Sequence, residues 1–331
     1  MAKLLEIIGP YPPPLGGISI HIARMEFFLK KEKINYRILN HGFFSSTNVI
    51  STNKSSFWYI KYLFTNHGEV IHFHQFFIFH YLYYYIFSLF NKKKIIITIH
   101  SEQILYSSSI RKKLCVYFLK KTKPALLISV SKNLSFFLKE KEIENNWLPA
   151  VVPAGKINEI RLEKIQKKNY FLYSVWKIDR NTTDSIYNLE LALKLLSNIK
   201  NEFHMLFLIG TEVDSDKEYL STLIEKYSVI DSITLIYEGN LINYLNNCNF
   251  FLRTNNIDGY GVSIQESLDL KVPAIASDVC IRPKGTILFK KNNYEDLYDK
   301  VINIKNYWNE SIIEKTDYHI QLIELYKKFL H

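Results

Sequence analysis

Short apolar runs recur along the chain, and stretches of helical pattern separate them. In the first half the runs are Leu4–Gly9, Tyr36–Asn40, Val70–His74, Ile95–His100 and Leu126–Ser131, with helices expected to start near Ile18, Phe76 and Ile110. In the second half they are Phe171–Trp176, His204–Ile209, Ile233–Tyr237, Phe250–Thr254 and Ala274–Ser277, with helices over Ser185–Ile199, Lys217–Tyr227 and Gly261–Leu270. A last helix is expected over Glu310–Leu330. Strand–helix alternation of this kind builds a parallel sheet covered by helices on both faces. The same grammar used twice predicts an α/β chain of two Rossmann-like, doubly wound domains facing each other across a cleft. The boundary falls near Pro149–Lys168, which gives domains over 1–152 and 169–308 and a carboxyl-terminal helix over 309–331 that packs back toward the first. In such sheets ligands bind beyond the carboxyl ends of the strands. The loops after strands are therefore where chemistry is sought.

Charge is unevenly divided between the halves. Residues 1–150 carry 20 Lys and Arg against 8 Asp and Glu, a balance of +12, whereas residues 151–331 carry 22 against 24, a balance of −2. The first half therefore suits an anionic partner: nucleic acid, an acidic membrane surface or a phosphate-bearing substrate. Three cysteines, Cys115, Cys248 and Cys280, lie far apart without metal-ligand spacing and read as reduced thiols. The amino terminus does not read as a secretory signal, because Glu6 interrupts an apolar run shorter than the roughly 7–15 residues such a segment needs. Phe76–Phe90 carries no formal charge and precedes Lys92, Lys93 and Lys94, but spanning a bilayer takes about 20 apolar residues. It reads as a helix packed on the sheet or as an interfacial helix. Ile110, Leu114, Tyr117 and Phe118 share a helical face, and Arg111, Lys112, Lys120 and Lys121 lie largely off it. Either a core-facing helix or one resting on anionic lipid has this pattern.

Four segments can carry chemistry. The loop Gly9–Ile18 follows a strand and opens a helix, and Gly16 and Gly17 let backbone N–H groups approach an anion there. It is neither a dinucleotide fingerprint nor a P-loop. His100 ends an apolar run, where functional groups of open α/β sheets gather. His72 and His74 flank Phe73 and so face one way, but without a third ligand at short spacing they do not suggest a metal site. The densest block runs from Asp258 through Gly259, Tyr260, Gly261 and Val262 to Glu266 and Leu268. Its glycines permit close backbone approach, and a helix starting near Val262 would turn its positive end toward a phosphate. The alternative is a capping Asp followed by a solvated helix Glu.

With this block, the chain resembles the retaining GT-B glycosyltransferases of the large family that includes sucrose synthases and phosphatidylinositol mannosyltransferases. Those proteins carry an acidic-x7-Glu motif with glycines just inside it, here Asp258 to Glu266, followed by Pro273–Asp278. The proline and glycine loop, His100 and Leu127–Ser131 occur in the matching order. The run Arg282-Pro283-Lys284-Gly285 to Phe289 looks like a polysaccharide-assembly branch. Similarity spans nearly the whole chain, and residues 250–289 are its specific part. The resemblance implies that Glu266 bonds the donor ribose and that Asp258 holds donor-sugar hydroxyls. It places the amides of Gly259, Tyr260, Gly261 and Val262 at the sugar and diphosphate, Gly16 and Gly17 near the diphosphate or acceptor, and His100 beside the transferred sugar. It implies no cofactor and no metal, the nucleotide sugar being a substrate. In the mechanism favoured for that family, the acceptor hydroxyl attacks the face from which diphosphate departs, and the diphosphate oxygen takes its proton.

The sequence departs from the pattern at two points. The usual Gly-Arg and later Lys after the first strand of the second domain are replaced by Val175-Trp176-Lys177-Ile178-Asp179-Arg180. Lys177 and Arg180 are the substitutes to expect, unless they are a solvated surface pair. The first acidic residue is Asp rather than Glu, which shortens its reach.

The expected function is transfer of a hexosyl or N-acetylhexosaminyl group from a nucleotide-sugar to a lipid-linked glycan. The expected place is the cytoplasm, peripheral at the inner face of the plasma membrane, in surface polysaccharide biosynthesis. Two rivals stand beside it. A sugar-nucleotide epimerase of similar shape would need no acceptor. A nucleic-acid binder would use the basic half, although no helix-turn-helix, zinc-finger or RRM signature is present.

Overall fold

The computed structural model describes residues 3–13, 17–52, 56–65, 67–75, 79–100, 102–153, 169–178, 186–314 and 317–331. It divides into two compact units, Met1–Gly155 with Thr316–His331, and Lys156–Lys315.

In chain order the first unit runs β1 (Leu5–Gly9), α1 (Gly17–Lys31), β2 (Tyr36–Asn40), β3 (Val49–Ser51), α2 (Ser56–Tyr62), β4 (Val70–Gln75), α3 (His80–Phe90), β5 (Lys94–Ile99), α4 (Gln103–Tyr106), α5 (Ser109–Thr122), β6 (Leu126–Ser129), α6 (Lys132–Glu140) and β7 (Asn146–Trp147). Its sheet is parallel, in the order β3-β2-β1-β4-β5-β6-β7. Both faces are covered, so the strands are nearly continuous apolar runs. Ile8, Phe73, Ile97 and Leu127 pack into one layer with Tyr84, Phe87 and Leu119. Leu5, Ile7, Ile38, Ile96 and Ile128 pack into the other with Ile22 and Met25 of α1. The one charge in β1 is Glu6, fully buried. It pairs with Arg37, its register partner on β2, and accepts the Tyr62 hydroxyl at 2.5 Å.

The second unit runs β8 (Asn169–Val175), α7 (Leu189–Ile199), β9 (Phe203–Ile209), α8 (Asp214–Lys226), β10 (Ile233–Tyr237), α9 (Ile242–Leu245), β11 (Phe250–Arg253), α10 (Val262–Asp269), β12 (Ala274–Ser277), β13 (Ile287–Phe289), α11 (Tyr294–Ile302) and α12 (Ile304–Tyr307). Its parallel sheet has the order β10-β9-β8-β11-β12-β13. Phe171 and Phe250 stack across β8 and β11 at 4.9 Å, inside a core shared with Leu193, Leu196 and Phe207. The last helix, α13 (Tyr318–Leu330), completes the first unit, where Leu322, Ile323 and Tyr326 join the α1 layer.

The α/β, doubly wound class expected from the strand–helix grammar is the fold observed. Two helices start later than expected. The last helix starts at Tyr318 rather than Glu310, because Glu310–Ile312 is a separate 3₁₀ turn capped by the Asn309 side chain. The helix expected from Ser185 starts at Leu189, after Asn188 at φ 48°, a left-handed conformation that a right-handed helix cannot include. The helix expected from Phe76 is described from His80.

Strand order reverses at β1/β4 in the first sheet and at β8/β11 in the second. At such switch points consecutive connections leave in opposite directions and open a crevice at the strands' carboxyl ends. The loops after β1, β4, β8 and β11 are therefore the positions the fold reserves for ligands.

Candidate functional site

In the second unit, the loop after β11 carries Asp258 and leads into α10. Gly261 caps α10 in the left-handed conformation, φ 85° and ψ 71°. A Cβ there would lie 2.8 Å from Ile264 Cδ1 and 3.2 Å from Arg282 Nη1. At Gly259 an added Cβ would meet nothing within 4 Å. Of the two glycines, only Gly261 is required by its backbone and surroundings. Gly261→Ala should cost about 1–2 kcal/mol of stability through its backbone alone, whereas Gly259→Ala should leave stability unchanged. Urea denaturation of the two variants checks this, and equal losses would contradict it.

Asp258 is enclosed. Arg253, at the end of β11, reaches it with Nε on Oδ2 and with Nη2 on Oδ1 at 2.8 Å. Arg282 Nη1 donates to Oδ2 at 2.5 Å, and the Gly259 amide donates to Oδ1 at 3.0 Å. Arg282 is itself anchored by Nε on the Ser277 carbonyl at 3.1 Å. Its side chain is 1% exposed, that of Asp258 9% and that of Arg253 16%. Burial alone would raise the carboxyl pKa, but the two guanidiniums reverse that and hold it down at about 2. Burial likewise works against the Arg253 charge, and Asp258 more than restores it.

Glu266 sits on α10, on the buried side with Ile264, Gln265 and Leu268, and is 9% exposed. A carboxylate so buried is held by polar partners. Tyr260 is buried and bonds Gln265 Oε1 at 3.2 Å. Val262 opens the helix. Lys177 is exposed just past β8, at the other side of the switch point. Arg180 lies outside the described residues.

In the first unit, His100 follows β5 and meets His74 of β4, with Nε2 and Nδ1 2.8 Å apart. The His72 ring lies tilted against His74 at 4.2 Å, and His21 of α1 lies 5.4 Å from His74 and 5.6 Å from His100. His72 is tied to Tyr326 of α13 at 2.6 Å and to Thr98 at 2.7 Å, and His21 to the Ala150 carbonyl at 3.1 Å. Desolvation pushes the His21 pKa down to about 4 and that of His72 to about 3, and holds His74 and His100 well below their ordinary value. Four neutral imidazoles therefore form one cluster, with His21, His72 and His74 buried and His100 half-buried, and His100 acts as a hydrogen-bonding group rather than a cation. Among the described residues no group of three or more His, Cys, Asp or Glu is arranged to hold a metal ion. Gly17 starts α1 in open space, and Gly16 lies outside the described residues.

The sequence singled out Asp258 and Glu266 but not Arg253, which read as a strand end. It singled out Arg282 only as part of a family-like run, and it missed His21 as the fourth imidazole. Their neighbours come from other elements, so no local spacing announces them.

Residues 162–314 match the family model described as glycosyl transferases group 1. No curated protein matches the sequence. Among solved structures, the sucrose-phosphate synthase from Thermosynechococcus elongatus is 13% identical with a TM-score of 0.78, covering 98% of each chain. HepE from Anabaena in complex with UDP-glucose is 10% identical at 0.77, covering 98% of this chain and 99% of that one. A putative UDP-N-acetylglucosamine 2-epimerase from Listeria monocytogenes is 11% identical at 0.65, covering 99% and 96%. At such identities the likeness shows the fold, the GT-B pair of Rossmann-like units, and leaves the reaction to the site.

Proposed function

We propose that this chain, whose residues 162–314 belong to the glycosyl transferases group 1, moves a hexosyl or N-acetylhexosaminyl group from a nucleotide-sugar to an acceptor hydroxyl with retention of configuration. The carrying observation is the start of α10 at a sheet switch point. Two guanidiniums and one carboxylate leave a net positive charge beside a helix amino end, and a buried Glu266 follows one turn on. A helix amino end and fixed cations favour a diphosphate and the charge it gains as it leaves. Glu266 is assigned to the donor ribose, the Gly259–Val262 backbone to the diphosphate and sugar, and His100 to the transferred sugar. Lys177 and Arg180 are assigned as further cations for the leaving group. The acceptor hydroxyl would attack the face from which the diphosphate departs, and a diphosphate oxygen would take the proton. No cofactor and no metal is needed for these steps.

A thermal-shift panel of UDP-, GDP-, ADP-, CMP- and dTDP-sugars tests the reading, with UDP-glucose first because the similar HepE structure holds it. One nucleotide class should stabilise the wild type, and Glu266→Ala should weaken that binding by about 1–3 kcal/mol. Unchanged affinity in a folded Glu266→Ala protein would remove the ribose assignment. The epimerase reading predicts conversion of the donor without any acceptor, which product analysis by mass and NMR separates.

The acceptor is proposed to be a lipid-linked glycan, met at the inner face of the plasma membrane during surface polysaccharide assembly. The support lies on α5. Cys115, Leu119 and Thr122 face the core, so Ile110, Leu114 and Tyr117 face out, 73%, 50% and 50% exposed. Arg111, Lys113, Lys120 and Lys121 surround them. The neighbouring α3 ends in exposed Leu89 and Phe90, before exposed Lys92, Lys93 and Lys94. No helix among the described residues is long and apolar enough to cross a membrane. An apolar stripe rimmed by cations suits an anionic lipid surface. Binding to phosphatidylglycerol vesicles should weaken about fivefold for each of Lys120→Gln and Lys121→Gln. Equal binding to phosphatidylcholine vesicles would argue against this assignment.

A further inference from the structure

The enclosure of Asp258 changes what its carboxylate can do. An ionised carboxylate only accepts hydrogen bonds, at about four lone-pair positions on its two oxygens. Four donors already occupy them: Arg253 Nε and Arg282 Nη1 on Oδ2, and Arg253 Nη2 and the Gly259 amide on Oδ1. A sugar hydroxyl arriving at Asp258 would have to displace a charge-assisted bond, the strong kind. The short Asp side chain is held by Arg253 at the end of β11.

Arg253 has capacity left. Each Nη carries two hydrogens, and the bonds to Asp258 and to the Ser263 hydroxyl at 3.2 Å use one on each. Ser263 is the second residue of α10, so those two remaining N–H groups lie at the helix amino end. Arg282 is more fully held, with Nε and Nη2 directed at the carbonyl and hydroxyl of Ser277. One arginine is thus a fixed anchor, and the other is a partly exposed fork with donors to offer.

We propose that Asp258 is a positioning residue that makes no contact with the donor sugar. It holds Arg253 as a clamp for the donor's diphosphate at the start of α10. This rests on the glycosyltransferase reading above. It also gives the diphosphate a fixed cation in addition to the exposed Lys177 that follows β8.

Calorimetric titration separates the possibilities. Wild type, Asp258→Asn, Arg253→Met and the double variant are titrated with UDP, GDP and ADP and with the glucose conjugate of each. If Asp258 acts through Arg253, each single variant weakens the free diphosphate and its glucose conjugate by the same factor, at least about tenfold. The double variant is then no weaker than the weaker single, because the two act as one unit. If Asp258→Asn weakens only the glucose conjugate, Asp258 touches the sugar and the proposal is overturned. Should Asp258→Asn fail to fold, Arg253→Met decides, since Asp258 there keeps Arg282; undiminished diphosphate affinity overturns the proposal. A wild type that binds none of these six ligands, and none of the nucleotide-sugars of the thermal-shift panel, overturns the glycosyltransferase reading itself, which is a different outcome from loss of sugar alone.

Discussion

Taking the protein from pH 7 to pH 5 is expected to unfold the β1–β7 unit while the β8–β13 unit stays folded. The cause is the set of histidines buried in a neutral state. An unfolded chain protonates each imidazole near its ordinary value of about 6.5. In the folded unit His21 stays neutral down to about 4 and His72 down to about 3, because burial disfavours the charged ring. Between those limits the unfolded state holds more protons. Stability is therefore complete above about pH 6.5 and is lost as the pH falls through the window. His21 and His72 alone remove roughly 2–3 kcal/mol over one pH unit below 6. His74 and His100 act in the same direction, as do His41 and His80, each pushed down to about 4 by burial. A typical domain is stable by only about 5–15 kcal/mol. The second unit contains a single histidine, His204, and should keep its melting temperature. Hydrogen exchange corrected for intrinsic rates, at pH 7 and pH 5, would report the two units separately. Equal loss of protection in both units, or in neither, would contradict the expectation.

That acid-sensitive cluster also shows what a sequence reveals and what it hides. Alternation along Val70–His74 put His72 and His74 on one face, and the structure has their rings in contact there. Their meeting with His100 depends on the pairing of β4 with β5, which sets His74 opposite Thr98. The arrival of His21 depends on how α1 packs. Both are long-range facts with no local signal. The central strands were legible because burial on both faces makes them continuous apolar runs. The edge strands Val49–Ser51, Asn146–Trp147 and Ile287–Phe289 were not, because two or three residues are too few to carry a period. On α5 the periodicity grouped Ile110, Leu114 and Tyr117 correctly but did not give their direction, and the Phe118 placed with them packs against the core. The core takes the narrower face of Cys115 and Leu119, and the more apolar-looking one points outward. At the candidate site, the Asp258–Glu266 spacing was visible, whereas the clamp on Asp258 was not. Arg253 is five positions before Asp258 and Arg282 is 24 after it. Only the adjacency of β11 and β12 brings them together.

Arg282 therefore carries the largest mutational effect expected in the second unit. Its side chain is 1% exposed, and Arg282→Ala would remove one cation from a buried carboxylate. The Ser277 carbonyl would lose its donor, and space would open beside Gly261. Taking one partner from a buried ion pair typically costs about 3–5 kcal/mol, because the other charge keeps its desolvation penalty without its compensation. Arg253 still faces Asp258 and should hold the loss toward the lower end of that range. Arg282→Lys should recover little. An ammonium at the end of a flexible stem cannot bond Asp258 and the Ser277 carbonyl at once in the geometry of a planar fork. Asp258→Asn in the Arg282→Ala background tests the origin of the loss. If the uncompensated carboxylate is the cause, neutralising it should restore part of the stability, so that the double variant is more stable than Arg282→Ala alone. Urea denaturation of the three proteins at pH 7 gives the comparison. A double variant less stable than either single one would show that Arg282 acts by packing alone and that the Asp258 charge is satisfied without it.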